Sequence, residues 1–480
     1  MLNKNKHMTR LTLILSLFIY LAFGCEIYSD DINEGGGPNV FVYGAEANTT
    51  GNPIGGGAGY THILKQGDYL VQNADELVSA LQQAQPGEVV MVANGASIDL
   101  TGHSYIYINE GVTLAGNRGA GESEGPLIYM SSISLEEPVL FWVQSGARVT
   151  GLRFKGPDAD FPDIDYDILA RSDATCLALE GTGIEVDNCE ISNFERGAVE
   201  VYPNGKDVHI HHNFIHDNHA YGVIVLNRSA LPVLIEANLI HWVWSAMAGS
   251  GYPGSGYEAR YNIVIRKPAP DSWQPYDGQH AADMHSYLEV YEARFQRIGG
   301  DWMNVHHNTF INDAGSDASV FLSNDAFVRG VPRILAQFFN NKFLNSDPAQ
   351  AVVHVGGNVW VYNNLYGPEE NLIHVSDQST PQILFNNPPP PDIEIPTLTG
   401  GSIPVDIEVN LNNPAGLFIS RLIIKLNGEI IYEGTEVPDP SDLIIDQSMV
   451  NPELPYQELV VTAFDNREIK GEHMTVFNLE

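Results

Sequence analysis

Two groups of side chains in this sequence could do chemistry. The first recurs. The phrase Val208-His209-Ile210-His211-His212-Asn213 returns in varied form, ending on Asn238, Asn262 and Asn308, and two places before these four asparagines stand His211, Glu236, Arg260 and His306. Three places before them stand Ile210, Ile235, Ala259 and Val305. Side chains alternate on a strand, so the apolar set turns inward and the His/Glu/Arg/His set turns outward. On stacked strands the members of such a column lie about 5 Å apart. An outward ladder of imidazole, carboxylate and guanidinium is suited to a saccharide groove. The second group is local: His280, Asp283 and His285 form a His-x-x-Asp-x-His cluster, with Tyr287 beside it. Two imidazoles and a carboxylate could hold Zn²⁺ or Mn²⁺, or Asp283 could orient a histidine that works as a base. Phe327-Val328-Arg329-Gly330-Val331-Pro332-Arg333 follows one rung later and adds a basic wall.

These residues fit three functions. β-Elimination at a uronic acid residue needs the sugar carboxylate neutralised, a base for the adjacent carbon-bound proton and an acid for the leaving oxygen. Arg260, or a metal held by His280, Asp283 and His285, could neutralise. His280 or His306 could be the base, and Tyr257 or Tyr287 the acid. The leaving group would be the next sugar, in a chain-cleaving lyase, or water, in a chain-end dehydratase. Glycoside hydrolysis would instead pair Glu236 with Asp283 or Asp301. A protein that only binds glycan would use the groove as a lectin. His211, Glu236, Tyr287, Arg329 and Arg333 are the expected substrate contacts. The excess of histidine and arginine around Glu236 places elimination first.

The ladder exists only if the repeat is a solenoid. Asn188, Asn213, Asn238 and Asn262 follow at steps of 25, 25 and 24 residues, and Asn341 to Asn364 is 23. A fixed period in this range marks stacked units. Short apolar alternation without helical spacing makes each turn strands and bends. The expected fold is all-β, a right-handed parallel β-helix whose rungs stack at about 4.8 Å. A single rung cannot bury its apolar side, so stability comes from stacking. The asparagines are expected to take left-handed backbone at a corner and to bond one another in a ladder. The 46-residue step from Asn262 to Asn308 reads as one rung plus an insertion, because Lys267 to Gly278 is full of turn residues. Long loops on rigid scaffolds tend to carry function.

Ala74 to Ala84 has helical apolar spacing and would cover the open end of the solenoid. Pro86-Gly87 and then Gly111-Val112-Thr113-Leu114-Ala115-Gly116-Asn117-Arg118-Gly119 follow. With this entry the chain resembles the pectate-lyase-like superfamily of secreted β-helix proteins over residues 68 to 367. The resemblance implies the fold and an action on polysaccharide. It selects no reaction, because lyases, hydrolases, epimerases and esterases share the scaffold.

The remaining segments set the context. Lys4, Lys6 and Arg10 precede an apolar run from Leu11 to Phe23, and Leu21-Ala22-Phe23-Gly24-Cys25 resembles a bacterial lipobox. Residues 1–24 are thus expected to be a lipoprotein signal peptide, with Cys25 lipidated in the cell envelope, at the outer membrane. Residues 25–58, rich in Asp, Asn and Gly, read as a flexible tether, residues 59–387 as the catalytic β-helix, and residues 392–480 as an immunoglobulin-like sandwich with a hairpin turn at Asn427-Gly428. The 480 residues carry 60 acidic and 24 basic side chains, a net charge of −36, which argues against nucleic acid as a partner. Asp158, Asp160, Asp163, Asp165 and Asp167 could bind Ca²⁺ but lack EF-hand register. The implied cofactor is at most a divalent metal (Ca, Mn or Zn), with no organic group. The implied partner is a uronic-acid-containing poly- or oligosaccharide. Cys176 and Cys189 could pair or lie buried as small apolar residues.

Overall fold

The computed structural model describes residues 43–134, 136, 138–158, 172–226, 232–242, 245–266, 280–286, 299–312, 325–354, 358–377, 392–394, 405–406, 409–412, 419–439, 443–452, 457–465 and 470–477. Three parallel strands make one turn. Val208–His211 lies in a first sheet, Phe214–His216 in a second and Tyr221–Val225 in a third. The next turn stacks Val233–Glu236, Leu239–Trp242 and Ser245–Gly249 upon them, parallel and in register. Among the described residues the first sheet runs from Tyr69–Val71 to Val359–Gly367, and the third has nine strands from Ile106–Ile108 to Val352–His354. The chain is a parallel β-helix followed by a small antiparallel sheet. Inward columns build the core: Val149, Val186, Ile210, Ile235, Ala259, Val305 and Phe338 are fully buried one above another.

The corner between the first and second sheets explains the repeated phrase. Asn213, Asn238, Asn262, Asn308, Asn341 and Asn364 are fully buried. Asn238 Nδ2 donates to Ile210 O at 2.9 Å and to Asn262 Oδ1 at 3.0 Å, while its own Oδ1 accepts from the backbone and amide nitrogens of Asn213. Each side chain thus satisfies buried polar groups that water cannot reach. Two expectations change here. The left-handed backbone belongs to the residue before each ladder asparagine: His212, Ala237, Tyr261, His307, Asn340 and Asn363 have φ of 52 to 59°. Asn188 is itself one of these left-handed residues, with φ 53°. The residue aligned with Asn213 is Cys189, whose backbone N–H donates to Asn213 Oδ1 at 2.9 Å. The 46-residue step is one rung: Arg260 pairs directly with His306, and His280–Met284 supplies the third strand between them.

The helix Ala74–Gln83 covers the first turns as its spacing predicts, burying Leu77, Ala80 and Leu81. Asn73 caps it by accepting from Glu76 N, and Glu76 Oε2 accepts from Gln72 N. The segment expected to be a tether behaves differently from residue 43 on. It is hydrogen-bonded along the corner of the solenoid, from late rungs back to early ones. Gly44 N donates to Asn340 O, Gly55 N to Ala237 O, Gly57 N to Asn188 Oδ1 and Tyr60 OH to Asp187 Oδ2. Gly56 has φ 65°, and a Cβ there would sit 2.3 Å from His212 O, so only glycine fits. Residues 25–42, including Cys25, lie outside the described residues. Cys176 and Cys189 are buried free thiols, and burial pushes Cys189 up to about 12. In the C-terminal part, Ile419–Leu426 pairs antiparallel with Glu429–Gly434 and Gln457–Asp465, and the latter with Lys470–Phe477. Asn427 and Gly428 make the hairpin turn with φ of 50 and 87°, over a separate core that includes Leu422, Ile424, Leu459 and Val461.

Candidate functional site

The expected His/Glu/Arg/His column does stand on the outer face of the first sheet, with Asp187, His211, Glu236, Arg260 and His306 in successive register. Every charge in it is answered by a neighbour. Arg148 donates to both oxygens of Asp187 at 2.7 and 2.8 Å. His211 pairs with Glu185 at 3.0 Å, and His209 with Glu236 at 3.0 Å. Arg260 donates to Glu236 at 2.7 Å and to Glu258 at 3.1 Å, and His306 pairs with Glu258 at 3.3 Å. Burial opposes ionisation of Glu236, but the His209 and Arg260 bonds hold its carboxyl down to about 2. His306 stacks on Phe339 at 4.8 Å, and Phe339 on Tyr362 at 5.2 Å. The N-terminal segment that begins at residue 43 closes one edge, where Thr50 Oγ1 meets His212 Nε2 at 2.9 Å. A column so paired is an electrostatic seam along the sheet. Arg260, His306, His211 and Glu236, expected as catalytic or substrate contacts, serve this seam.

One His/acid group among the described residues has ligand atoms within 4.8 Å of one another: Glu185, Asp187 and His211. These donors are of a kind that could hold a divalent ion. Arg148, Thr150 and Tyr60 already bind Asp187, so an ion would have to displace them.

The outer face of the third sheet is organised around Asp283, which is fully buried. Arg329 donates to both its oxygens, from Nε at 3.0 Å and from Nη2 at 2.6 Å. His285 Nε2 lies 3.2 Å from Asp283 Oδ2. Ser245 Oγ approaches the same oxygen at 3.5 Å. Burial alone would raise the Asp283 carboxyl, yet Arg329, His285 and His280 around it keep it well below the usual carboxylate range. His280 is buried edge-on against Phe327 at 5.1 Å. Tyr221, half-buried two rungs earlier, has its ring 6.1 Å from that of His285. The connections into and out of this sheet contain residues 159–171, 267–279, 287–298 and 313–324, which lie outside the described residues.

Several site expectations are corrected by this geometry. The His280/Asp283/His285 cluster does form around Asp283, but a guanidinium fills the place a metal would need at both carboxylate oxygens. Tyr257 is a core residue; its hydroxyl donates to Asp283 O at 3.0 Å, so it cannot reach a substrate as an acid. Glu236 and Asp283 stand on different sheets, which separates the expected hydrolytic pair. Asp301 accepts from Gly254 N at 2.9 Å and pairs with the exposed Arg333 at 3.5 Å, closing a corner. Of the expected basic wall, Arg329 therefore joins the Asp283 cluster and Arg333 does not. Tyr287, and Asp160, Asp163, Asp165 and Asp167 of the acidic loop, lie outside the described residues; Asp158 accepts from Ser172 at 2.7 Å.

Sequence reasoning missed Tyr221. Its signal was available in the third strands: Tyr221, Ser245 and His280 occupy one register position on successive rungs. That column carries no repeated asparagine, so the phrase that aligned the first sheet did not align it.

No family model matches the chain, and no curated protein matches it significantly. Among solved structures it aligns with an alginate lyase from Paenibacillus sp. str. FPU-7 at 15% identity and a TM-score of 0.34, over 60% of this chain and 98% of that one. It also aligns with Escherichia coli ybhc at 10% identity and a TM-score of 0.35, over 64% of this chain and 86% of that one. At these values the comparisons assign no activity.

Proposed function

We propose that this protein is a carbohydrate-active carbon–oxygen lyase that carries out β-elimination at uronic acid residues, on the outer face of the third sheet. The observation that carries the reading is the Asp283 cluster, where a buried carboxylate accepts both bonds of Arg329 and lies 3.2 Å from His285 Nε2. Asp283 orients the His285 imidazole and stabilises its cation, the arrangement a general base requires. His285 takes the proton on the carbon next to the sugar carboxylate. The electron pair forms the new carbon–carbon double bond, and the oxygen at the neighbouring carbon leaves with its bonding pair. Tyr221, whose ring is 6.1 Å from that of His285, is the proposed proton donor to that oxygen. The positive charge of Arg329 favours the enolate that develops. The alginate lyase alignment agrees with this class but does not carry it.

The test is incubation with a panel of uronic-acid polysaccharides and oligosaccharides while absorbance of the unsaturated product is followed. A rising signal that His285→Gln abolishes supports elimination, and product mass separates chain cleavage from loss of water. New reducing ends without absorbance would replace it by hydrolysis. The signal-like N-terminus and Cys25 support a lipid-anchored place in the cell envelope, checked by loss of fatty-acid labelling in Cys25→Ser.

A further inference from the structure

A cleft of about 360 Å³ lies where the N-terminal segment crosses the early rungs, lined by Gly57, Ala58, Arg118, Arg153 and Glu190 among others. Three parts of the fold build it. Arg153 and Glu190 are register partners on the outer face of the second sheet. Arg118 comes from the turn after Thr113–Ala115, and its backbone N–H donates to Gly151 O at 3.0 Å. The N-terminal segment packs tightly on that turn: a Cβ on Gly119, at φ 83°, would sit 2.0 Å from Gly57 O.

The two guanidinium groups are each held at one end and left open at the other. Arg118 Nη1 donates to Gly55 O at 3.0 Å and to Asn188 Oδ1 at 3.3 Å, and Asn188 Nδ2 donates back to Arg118 O at 2.8 Å. Arg153 Nε donates to Gly125 O at 3.0 Å, and its Nη1 pairs with Glu124 at 3.3 Å. Among the described residues neither Nη2 has a hydrogen-bond partner. The carboxylate paired with Arg118 is Glu190, at 4.0 Å and beyond hydrogen-bond reach, and it also faces His216 at 3.7 Å. Burial lowers the Arg118 guanidinium; Glu190 opposes that, and the Arg153 charge adds to it. Arg118 is only 8% exposed. A buried cation without a bonded counter-charge is costly, and the open edge of a guanidinium suits a planar carboxylate.

The mouth of the cleft selects the kind of anion. Glu122 and Glu124, both exposed, belong to the lining, so with Glu190 three carboxylates stand around two arginines. Inorganic sulfate would bring two further negative charges against those acids and no donor. A uronate brings one charge, for the arginines, and hydroxyl groups that donate to the acids. The cleft is at the small end of ligand sites, which suits one sugar residue rather than a long chain.

We propose that this cleft binds a single uronate residue, its carboxylate on Arg118 and Arg153 and its hydroxyls on the surrounding acids. The site is separate from the Asp283 cluster. Asp283 stands on the third sheet, and its turn lies four turns from that of Arg153, about 19 Å along the axis. The inference goes beyond the proposed reaction and does not need it: the protein gains a second hold on an acidic glycan, away from the place where the bond breaks.

The experiment is an NMR titration of the full chain with glucuronate, galacturonate and mannuronate, read by broadening of the ligand lines. The neutral parent sugars and inorganic sulfate are titrated in parallel. At least one uronate should bind, and its parent sugar about tenfold more weakly or less. Arg153→Gln should weaken uronate binding by about tenfold at an unchanged melting temperature. Ala58→Glu, at an exposed position of the lining, adds a carboxylate that competes for the arginines and should weaken binding similarly; it stands alone if Arg153→Gln fails to fold. Absence of uronate binding overturns the site, as does binding indifferent to these variants. Sulfate binding as tight as the uronate, with the same sensitivity to the variants, overturns the uronate assignment and leaves a general anion site. Unsaturated-product absorbance is recorded on the same preparations. Elimination with binding indifferent to the variants sinks the cleft and leaves the lyase reading. Variant-sensitive binding without elimination does the reverse.

Discussion

The outer faces of the first and third sheets carry similar residue types, histidine, arginine and acid, yet they are built for different ends. On the first sheet the carboxylates are met from neighbouring strands and from their own: Glu236 lies between His209 and Arg260, and Glu258 between Arg260 of its own strand and His306 of the next. The groups are answered in pairs along the sheet, so the seam is a polar ladder that reinforces strand pairing. On the third sheet the same chemistry converges on one buried carboxylate, Asp283, from the sides of several strands. Periodic charge spread along a sheet stabilises it. Charge gathered at one point, with a half-buried histidine at its edge, is the arrangement on which the proposed general base rests.

The sharpest way to break this contrast is at His285. His285→Gln should reduce turnover by about 10³-fold, within the range for loss of a general base, with melting temperature nearly unchanged. Equal loss from His306→Gln would place the chemistry on the first sheet. Next in size is the corner that holds the first sheet to the second. Asn262→Ala leaves Ile235 O and Asn238 N without their side-chain partners. It should cost about 3 kcal/mol in denaturant unfolding, whereas turnover of the folded fraction should persist.

The two faces should also answer pH with opposite sign. Asp325, at the entry to a third-sheet strand, bonds closely to Ser346, and burial pushes it up to about 6 from 3.8. The folded chain keeps a proton that the unfolded chain releases, so stability falls as pH rises from about 4 to 6. Asp325→Asn should remove that fall, a relative gain of up to about 3 kcal/mol at neutral pH. Glu236 on the first sheet is lowered from 4.5 to about 2. Its contribution is complete above its ordinary value and is lost as pH drops through that window, a loss that Glu236→Gln should abolish. Melting curves of the three proteins between pH 2 and 7 decide both signs.

Smaller effects test the seam itself. Arg260→Gln should cost about 1 kcal/mol, because Arg260 is about a third exposed and its partners keep their histidines; turnover should change less than about threefold, far below the effect expected at a general base. A chelator should leave the melting temperature unchanged, since Arg148 rather than an ion answers Asp187. A clear shift would assign a metal to Glu185, Asp187 and His211.

The solenoid was legible in the amino-acid sequence because its cause is local and repeated. Inward Ile, Val and Ala alternate with polar residues at every rung, and one asparagine per turn marks the corner. The cap helix and the Asn427-Gly428 hairpin follow from equally local rules. The cluster at Asp283 was legible in part, because His280, Asp283 and His285 sit within six residues. What only the tertiary structure decided was the partner of each group. Arg329 reaches Asp283 from 46 residues away, Tyr257 turns its hydroxyl into the core, and the glycine-rich start of the described chain binds the corner rather than leaving it free. Strand alternation tells which face a side chain takes. Which charge meets it there depends on connections of unequal length between rungs, and sequence spacing carries no record of that.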